Sequence, residues 1–71
     1  MVMNNRLKEI RQQKVYTQEA LAAVVGVSRQ TIIAIEKSKF VPSVKLALEL
    51  AAVLEVKLEE IFWLDKTQGG K

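Results

Sequence analysis

Apolar residues recur along this chain at helical spacing, in blocks separated by short polar or glycine-containing breaks. Over residues 6–13, Leu7 and Ile10 lie three apart among charged and amide side chains, which predicts a short helix with one inward face. Ala20, Leu21 and Val24 predict a second helix with a buried stripe, which Val25 continues. Ile32, Ile33 and Ile35 mark a third. In the fourth, Leu46, Ala47, Leu50, Ala51 and Leu54 run down one side of residues 44–54. Glu55-Val56-Lys57 interrupts the pattern. Residues 58–62 then predict a last short helix, and Phe62-Trp63-Leu64 can leave it as a strand.

The breaks carry their own signals. Asn4 or Asn5 can cap the first helix, Thr17 the second and Ser43 the fourth, because a short side-chain oxygen can accept a free first-turn N–H. Gly26 follows the second stripe, where helices end in a left-handed residue that glycine adopts cheaply. Ser28 suits the cap of the third helix, accepting from Gln30 or Thr31. Pro42 restrains Val41 from helix. Residues 17–36 therefore read as helix, glycine turn and capped helix, the content of a helix-turn-helix. The fold class is all-α with five helices.

Seventy-one residues make one small domain, which buries only about 60% of its unfolded surface and so has a marginal core unless it self-associates. The chain has no Cys and no His, which removes disulfides, thiolate metal sites and the commonest general base. Its single Asp is Asp65. The carboxylates Glu9, Glu19, Glu49, Glu55, Glu59 and Glu60 fall mostly on solvent faces, so enzymatic activity is not expected, nor is a cofactor or a metal. No apolar run approaches the roughly 18 residues of a membrane span, and residues 1–15 lack the apolar block of a signal peptide. The expected location is the cytoplasm. The net charge of +3 is unevenly placed: residues 1–40 carry seven cationic side chains against three carboxylates, residues 41–71 four against five. The positive half holds the helix-turn-helix, which favours a polyanionic partner.

The residues from 5 to 62 resemble the Cro/lambda-repressor-like (Xre) helix-turn-helix family. The resemblance rests on Leu7, Ile10 and Arg11, on Thr17-Gln18-Glu19 with Leu21-Ala22, and on Val25-Gly26-Val27-Ser28-Arg29-Gln30-Thr31-Ile32. It continues through Ile35-Glu36-Lys37, Pro42-Ser43, Leu46-Ala47-Leu48 and Ile61-Phe62. It implies a five-helix lambda-repressor-like domain over residues 1–66 and a flexible tail over 67–71. Small dimeric members of the family pair their terminal segments as an antiparallel ribbon, here residues 1–4 with 63–66.

The same resemblance implies a sequence-specific double-stranded DNA-binding regulator, most simply a repressor on a two-fold symmetric operator. The second helix of the motif would enter the major groove with Ser28, Arg29, Gln30 and Thr31 at its leading end. Arg can give two parallel hydrogen bonds to guanine and Gln to adenine. Ala34 stands where the family often has a polar base reader, and could meet a thymine methyl. Thr17 and Gln18 open the preceding helix, whose free N–H groups favour phosphate. Lys37 and Lys39 follow the recognition helix and can reach the backbone as point charges. Gln18 is also expected to brace that helix. In the family, residues matching Arg11 and Glu36 form a buried ion pair, so both are assigned to structure. Leu21, Val25, Ile32, Ile35, Leu46, Leu50 and Phe62 are assigned to the core, and Tyr16 to a packed surface position.

Surplus apolar residues near the end of the chain, Val53, Val56, Leu58, Ile61, Trp63 and Leu64, predict a homodimer interface, with Val56, Leu58, Ile61, Trp63 and Leu64 as its residues. The alternative is an antitoxin-like or other protein-binding module on the same fold. The few polar residues beyond Leu64 count against a segment that wraps such a partner.

Overall fold

The computed structural model describes residues 2–65; Met1 and residues 66–71, with the expected tail, lie outside it. Strand β1 (Val2–Asn5) leads into helix α1 (Leu7–Gln13), followed by α2 (Gln18–Val25), α3 (Arg29–Glu36) and α4 (Val44–Leu54). The short α5 (Leu58–Ile61) then passes into strand β2 (Phe62–Asp65).

Three helices start where the sequence places an oxygen. Thr17 Oγ1 accepts from the Ala20 N–H at 2.9 Å, Ser28 Oγ from the Thr31 N–H at 3.2 Å, and Ser43 Oγ from the Leu46 N–H at 3.1 Å. The first helix begins one residue later than the apolar spacing suggests. Arg6 stands at its N-cap without a side-chain cap bond, and Asn5 Oδ1, one residue earlier, accepts from the Leu7 N–H at 3.0 Å.

The terminal ribbon forms, drawn one residue inward from its expected bounds. Val2, Met3, Asn4 and Asn5 pair antiparallel with Asp65, Leu64, Trp63 and Phe62. The Arg6 N–H then donates to the Ile61 carbonyl at 2.9 Å, extending the pairing to the edge of α1. Phe62 therefore belongs to the strand and not to the last helix. A two-stranded ribbon is marginal alone, but Asn5 and Phe62 tie it directly to the helices beside it.

The core forms between the helices, with Leu7, Leu21, Ile32, Ile35, Leu50, Leu54 and Ile61 fully enclosed. On α4 the whole expected stripe, Leu46, Ala47, Leu50, Ala51 and Leu54, is buried. On α2 the stripe is different. Leu21 and Ala22 are buried, Gln18 and Val25 are half-buried, and Ala20 and Val24 face solvent. Positions 18, 21, 22 and 25 follow the i, i+3, i+4, i+7 pattern of one helix face. Ala20 and Val24 form the ridge on the solvent side.

Four helices end in the same way, and only one of them uses glycine. Gly26 adopts φ 77, but Val15, Ser38 and Glu55 also have positive φ, at 65, 60 and 59. In each case the amide after the left-handed residue reaches back five residues. Tyr16 N–H donates to Arg11, Val27 to Ala22, Lys39 to Ala34 and Val56 to Ala51. These are Schellman ends, which satisfy the last carbonyls of each helix.

A β-branched residue is least suited to that conformation, and Val15 is also 88% exposed, so its side chain contributes almost no packing. Left-handed backbone costs about 1–2 kcal/mol for an ordinary residue, while glycine gives back about 0.5–1 kcal/mol through unfolded-state entropy. Val15→Gly should therefore stabilise the domain by about 0.5–1 kcal/mol, raising the melting temperature by several degrees. An unchanged or lowered melting point in calorimetry would show that Val15 carries no strain.

Candidate nucleic-acid interface

The turn Gly26-Val27-Ser28 joins α2 to α3 and fixes what the second helix presents. Ser28 is exposed, and its hydroxyl is within hydrogen-bond distance of Thr31 Oγ1, at 3.1 Å, as well as of the Thr31 amide. Both hydroxyls thus belong to the capping turn. Of the two cap partners the sequence left open, Thr31 is the one used. Arg29 and Gln30 follow, both exposed. Among the described residues neither side chain has a hydrogen-bond or ion-pair partner, so their donors point to solvent with their pairing capacity unspent. Thr31, Ile33 and Ala34 are half-buried.

At the other end of the helix Lys37, Ser38 and Lys39 are exposed on the Schellman turn. At the start of α2, Thr17 uses an oxygen lone pair for its cap and keeps its O–H hydrogen to donate.

Behind this surface lies a paired polar frame. Arg11 Nε donates to Glu36 Oε2 at 2.7 Å, with the two side chains only 8% and 5% exposed. Arg11 Nη2 reaches Glu36 Oε1 at 3.5 Å, and Nη1 donates to the Tyr16 carbonyl at 2.9 Å. Gln18 Nε2 donates to Glu36 Oε1 at 3.1 Å. The carboxylate at the end of α3 therefore ties α1 and the start of α2 together, and every buried side-chain N and O among the described residues has a partner. Gln18 braces α3 as expected; the amide's second N–H remains for other contacts. Arg11, although cationic, offers no charge to a ligand. Tyr16 is half-buried against the core.

Asn5 was visible in the sequence only as a cap. Its amide also donates to the Ile35 carbonyl at 2.9 Å and approaches Ser38 Oγ at 3.4 Å. These partners lie thirty and more residues away, so no local pattern announces them.

The expected interface residues divide. Ile61 is completely buried in the monomer core and has no surface to offer a second chain, so its assignment to the interface is corrected. Ile61 closes the inner side of the single-turn α5, and the apolar run of residues 61–64 faces inward at Ile61 and Phe62 and outward at Trp63 and Leu64. Val56 and Leu58 are half-buried and pack on the core. Trp63 and Leu64 are exposed. Val41, Val44 and Leu48, outside the expected interface, are exposed as well. Val44 and Leu48 lie four apart on the outer side of α4, away from its buried stripe. An open apolar groove of about 530 Å³ runs between Val41, Val44, Leu58, Trp63 and Leu64.

A short helix held by a buried ion pair, its first turn capped and its Arg and Gln left free, defines a helix-turn-helix DNA-binding domain. The chain belongs to the helix-turn-helix family, whose model matches residues 7–61, and within it to the Cro/lambda-repressor-like (Xre) type. It is 47% identical over 64 residues to the uncharacterized HTH-type transcriptional regulator YgzD of Bacillus subtilis, covering 90% of this chain and 97% of that one. An uncharacterized HTH-type transcriptional regulator of Methanocaldococcus jannaschii is 57% identical over 60 residues, covering 84% and 91%.

Among solved structures, the restriction-modification controller protein C.AhdI from Aeromonas hydrophila is similar with a TM-score of 0.71 at 31% identity, over 76% of this chain and 82% of that one. A Bacteroides fragilis protein proposed to bind DNA matches with a TM-score of 0.80 at 30% identity, over 86% and 98%. No helix among the described residues is long and apolar enough to cross a membrane.

Proposed function

We propose that this helix-turn-helix regulator acts as a symmetric homodimer that represses transcription by occupying a two-fold operator. The observation that carries the reading is the first turn of α3: Arg29 and Gln30 are exposed and unpaired on a helix whose other end is locked by Glu36. A helix end so held presents base-reading donors at little further ordering cost. Arg29 would read a guanine and Gln30 an adenine, with Ala34 against a thymine methyl. Ser28 and Thr31, engaged in their own cap, would meet the backbone or an adjacent base edge. Thr17, Gln18, Lys37 and Lys39 would hold phosphates on either side.

The dimer follows from reach. Eight helical residues span about 12 Å, so one copy covers one groove segment. Two copies related by a two-fold axis reach half-sites about 34–36 Å apart. The exposed apolar surface of Trp63 and Leu64, continued by Val41, Val44 and Leu48, is the face on which we place the axis.

The test is selection of bound sequences from a random double-stranded DNA library at near-physiological salt. The expected result is a palindromic site with half-sites one turn apart. Enrichment of a single half-site or a direct repeat would remove the symmetric dimer; no enrichment would remove sequence-specific DNA binding and bring the protein-partner reading forward. On the enriched site Arg29→Ala should weaken binding by about 1–3 kcal/mol and relax one base position. An equal loss on all sequences would instead make Arg29 a phosphate contact.

A further inference from the structure

We propose that Asn5 is a positioning residue for DNA recognition: it clamps the end of the recognition helix, and the basic turn after it, to the terminal ribbon. The proposal rests on the DNA-binding reading above. Asn5 sits where three elements meet. Its backbone belongs to β1, opposite Phe62 in β2. Its Oδ1 holds the first amide of α1, at Leu7. Its Nδ2 donates to the carbonyl of Ile35 in α3 and lies 3.4 Å from Ser38 Oγ. One side chain therefore spends its acceptor on one helix and its donors on another.

The far end of that link is the part of α3 that most needs holding. Ser38 closes the helix with φ 60, a conformation unfavourable for any residue but glycine. The Ile35 carbonyl receives both the Ser38 N–H and the Asn5 amide, each at 2.9 Å, which uses both of its lone pairs. Lys37 and Lys39 flank Ser38 and take their direction from this turn. The near end of the link is the ribbon that carries Trp63 and Leu64. Asn5 thus fixes the basic turn relative to the surface on which a second copy would dock, and with it the distance between two recognition helices.

Asn5→Asp tests this, because Asp keeps an oxygen for the Leu7 N–H but has no N–H to donate and places charge beside the Ile35 carbonyl. Asn5→Ser is the second variant, keeping a short acceptor with no reach to α3. Both are compared with wild type on the selected operator, at a temperature where circular dichroism shows each folded. Amide hydrogen exchange is read in the absence of DNA. The expected result is about tenfold weaker operator binding together with faster exchange at Ser38 and Lys39, while the Val27 and Val56 amides at the ends of α2 and α4 keep their protection.

Folded variants that melt earlier yet bind within twofold of wild type would reduce Asn5 to a structural role and overturn the proposal. So would exchange that rises equally at all four helix ends. Wild-type protein that selects no DNA site would overturn the DNA reading itself, and the positioning role with it. Selection by wild type with unchanged variants overturns the positioning role alone.

Discussion

Glu36→Ala should destabilise the domain by about 3–5 kcal/mol, because it leaves the Arg11 guanidinium charged, buried and without its carboxylate. A chain of this length has roughly 4–10 kcal/mol of total stability, so the variant should lose a large fraction of it. The loss goes beyond one ion pair. Gln18 also donates to Glu36, so the start of α2 loses its tie to α3 in the same step. Urea unfolding measures the effect directly.

The contrast that identifies the cause is Arg11→Met with Glu36→Leu. Removing both charges eliminates the unpaired ion, and buried pairs replaced by apolar residues of similar volume are often neutral or better. The double variant should therefore recover most of the stability lost in Glu36→Ala. Its Gln18 amide would still lack a partner, so recovery should stop short of complete. A double variant no more stable than Glu36→Ala would show that the frame depends on shape and hydrogen bonds and not on charge pairing.

Helices α2, α3 and α4 were legible in the sequence because each carries both a periodic stripe and a capping oxygen. Residues 44–54 are the clearest case: Ser43 sets the start, and the i, i+1, i+4, i+5, i+8 stripe sets the buried face. The α2 stripe was misplaced because Ala20, Val24 and Val25 are all apolar, so hydropathy alone could not choose the side. The buried face is the one centred on Leu21 and Ala22, and it carries the polar Gln18 inward to Glu36, which hydropathy does not announce.

Helix ends were half legible for a related reason. Gly26 announces a left-handed residue, whereas Val15, Ser38 and Glu55 adopt the same conformation without a residue type that signals it. At the candidate site, the residues at the leading end of α3 could be named from motif and spacing. Asn5 could not be assigned beyond its cap, because a bond from residue 5 to residue 35 exists only once the chain has folded. The exposed side of α4 is hard to read from sequence because Val44 directly precedes, and Leu48 interrupts, a strong buried stripe of the same residue types.

That side of α4 supplies the sharpest test of assembly. Val44→Glu and, separately, Leu64→Glu should each convert the proposed dimer to monomer and weaken binding to a two-fold operator by about 100-fold or more, the scale on which linked sites gain affinity. The two substitutions differ in what they do to the monomer. Val44 is 74% exposed and is the first residue of α4, where a carboxylate interacts favourably with the helix dipole. Its replacement should leave the monomer's own stability unchanged or slightly raised, so a lower melting temperature would report only the lost dimer contact. Leu64 is 53% exposed on β2, opposite Met3, so its replacement removes some packing as well.

Near a two-fold axis each new carboxylate meets its symmetry mate, and like charges in a closed apolar contact oppose association. Sedimentation equilibrium and operator titration on Val44→Glu therefore separate assembly from folding. A monomer with weak, half-site binding would place the interface on the groove beside α4 and β2. A Val44→Glu protein that remains dimeric would move the interface off this side of α4. A monomer that still binds the full operator at wild-type affinity would sever recognition from dimerisation altogether.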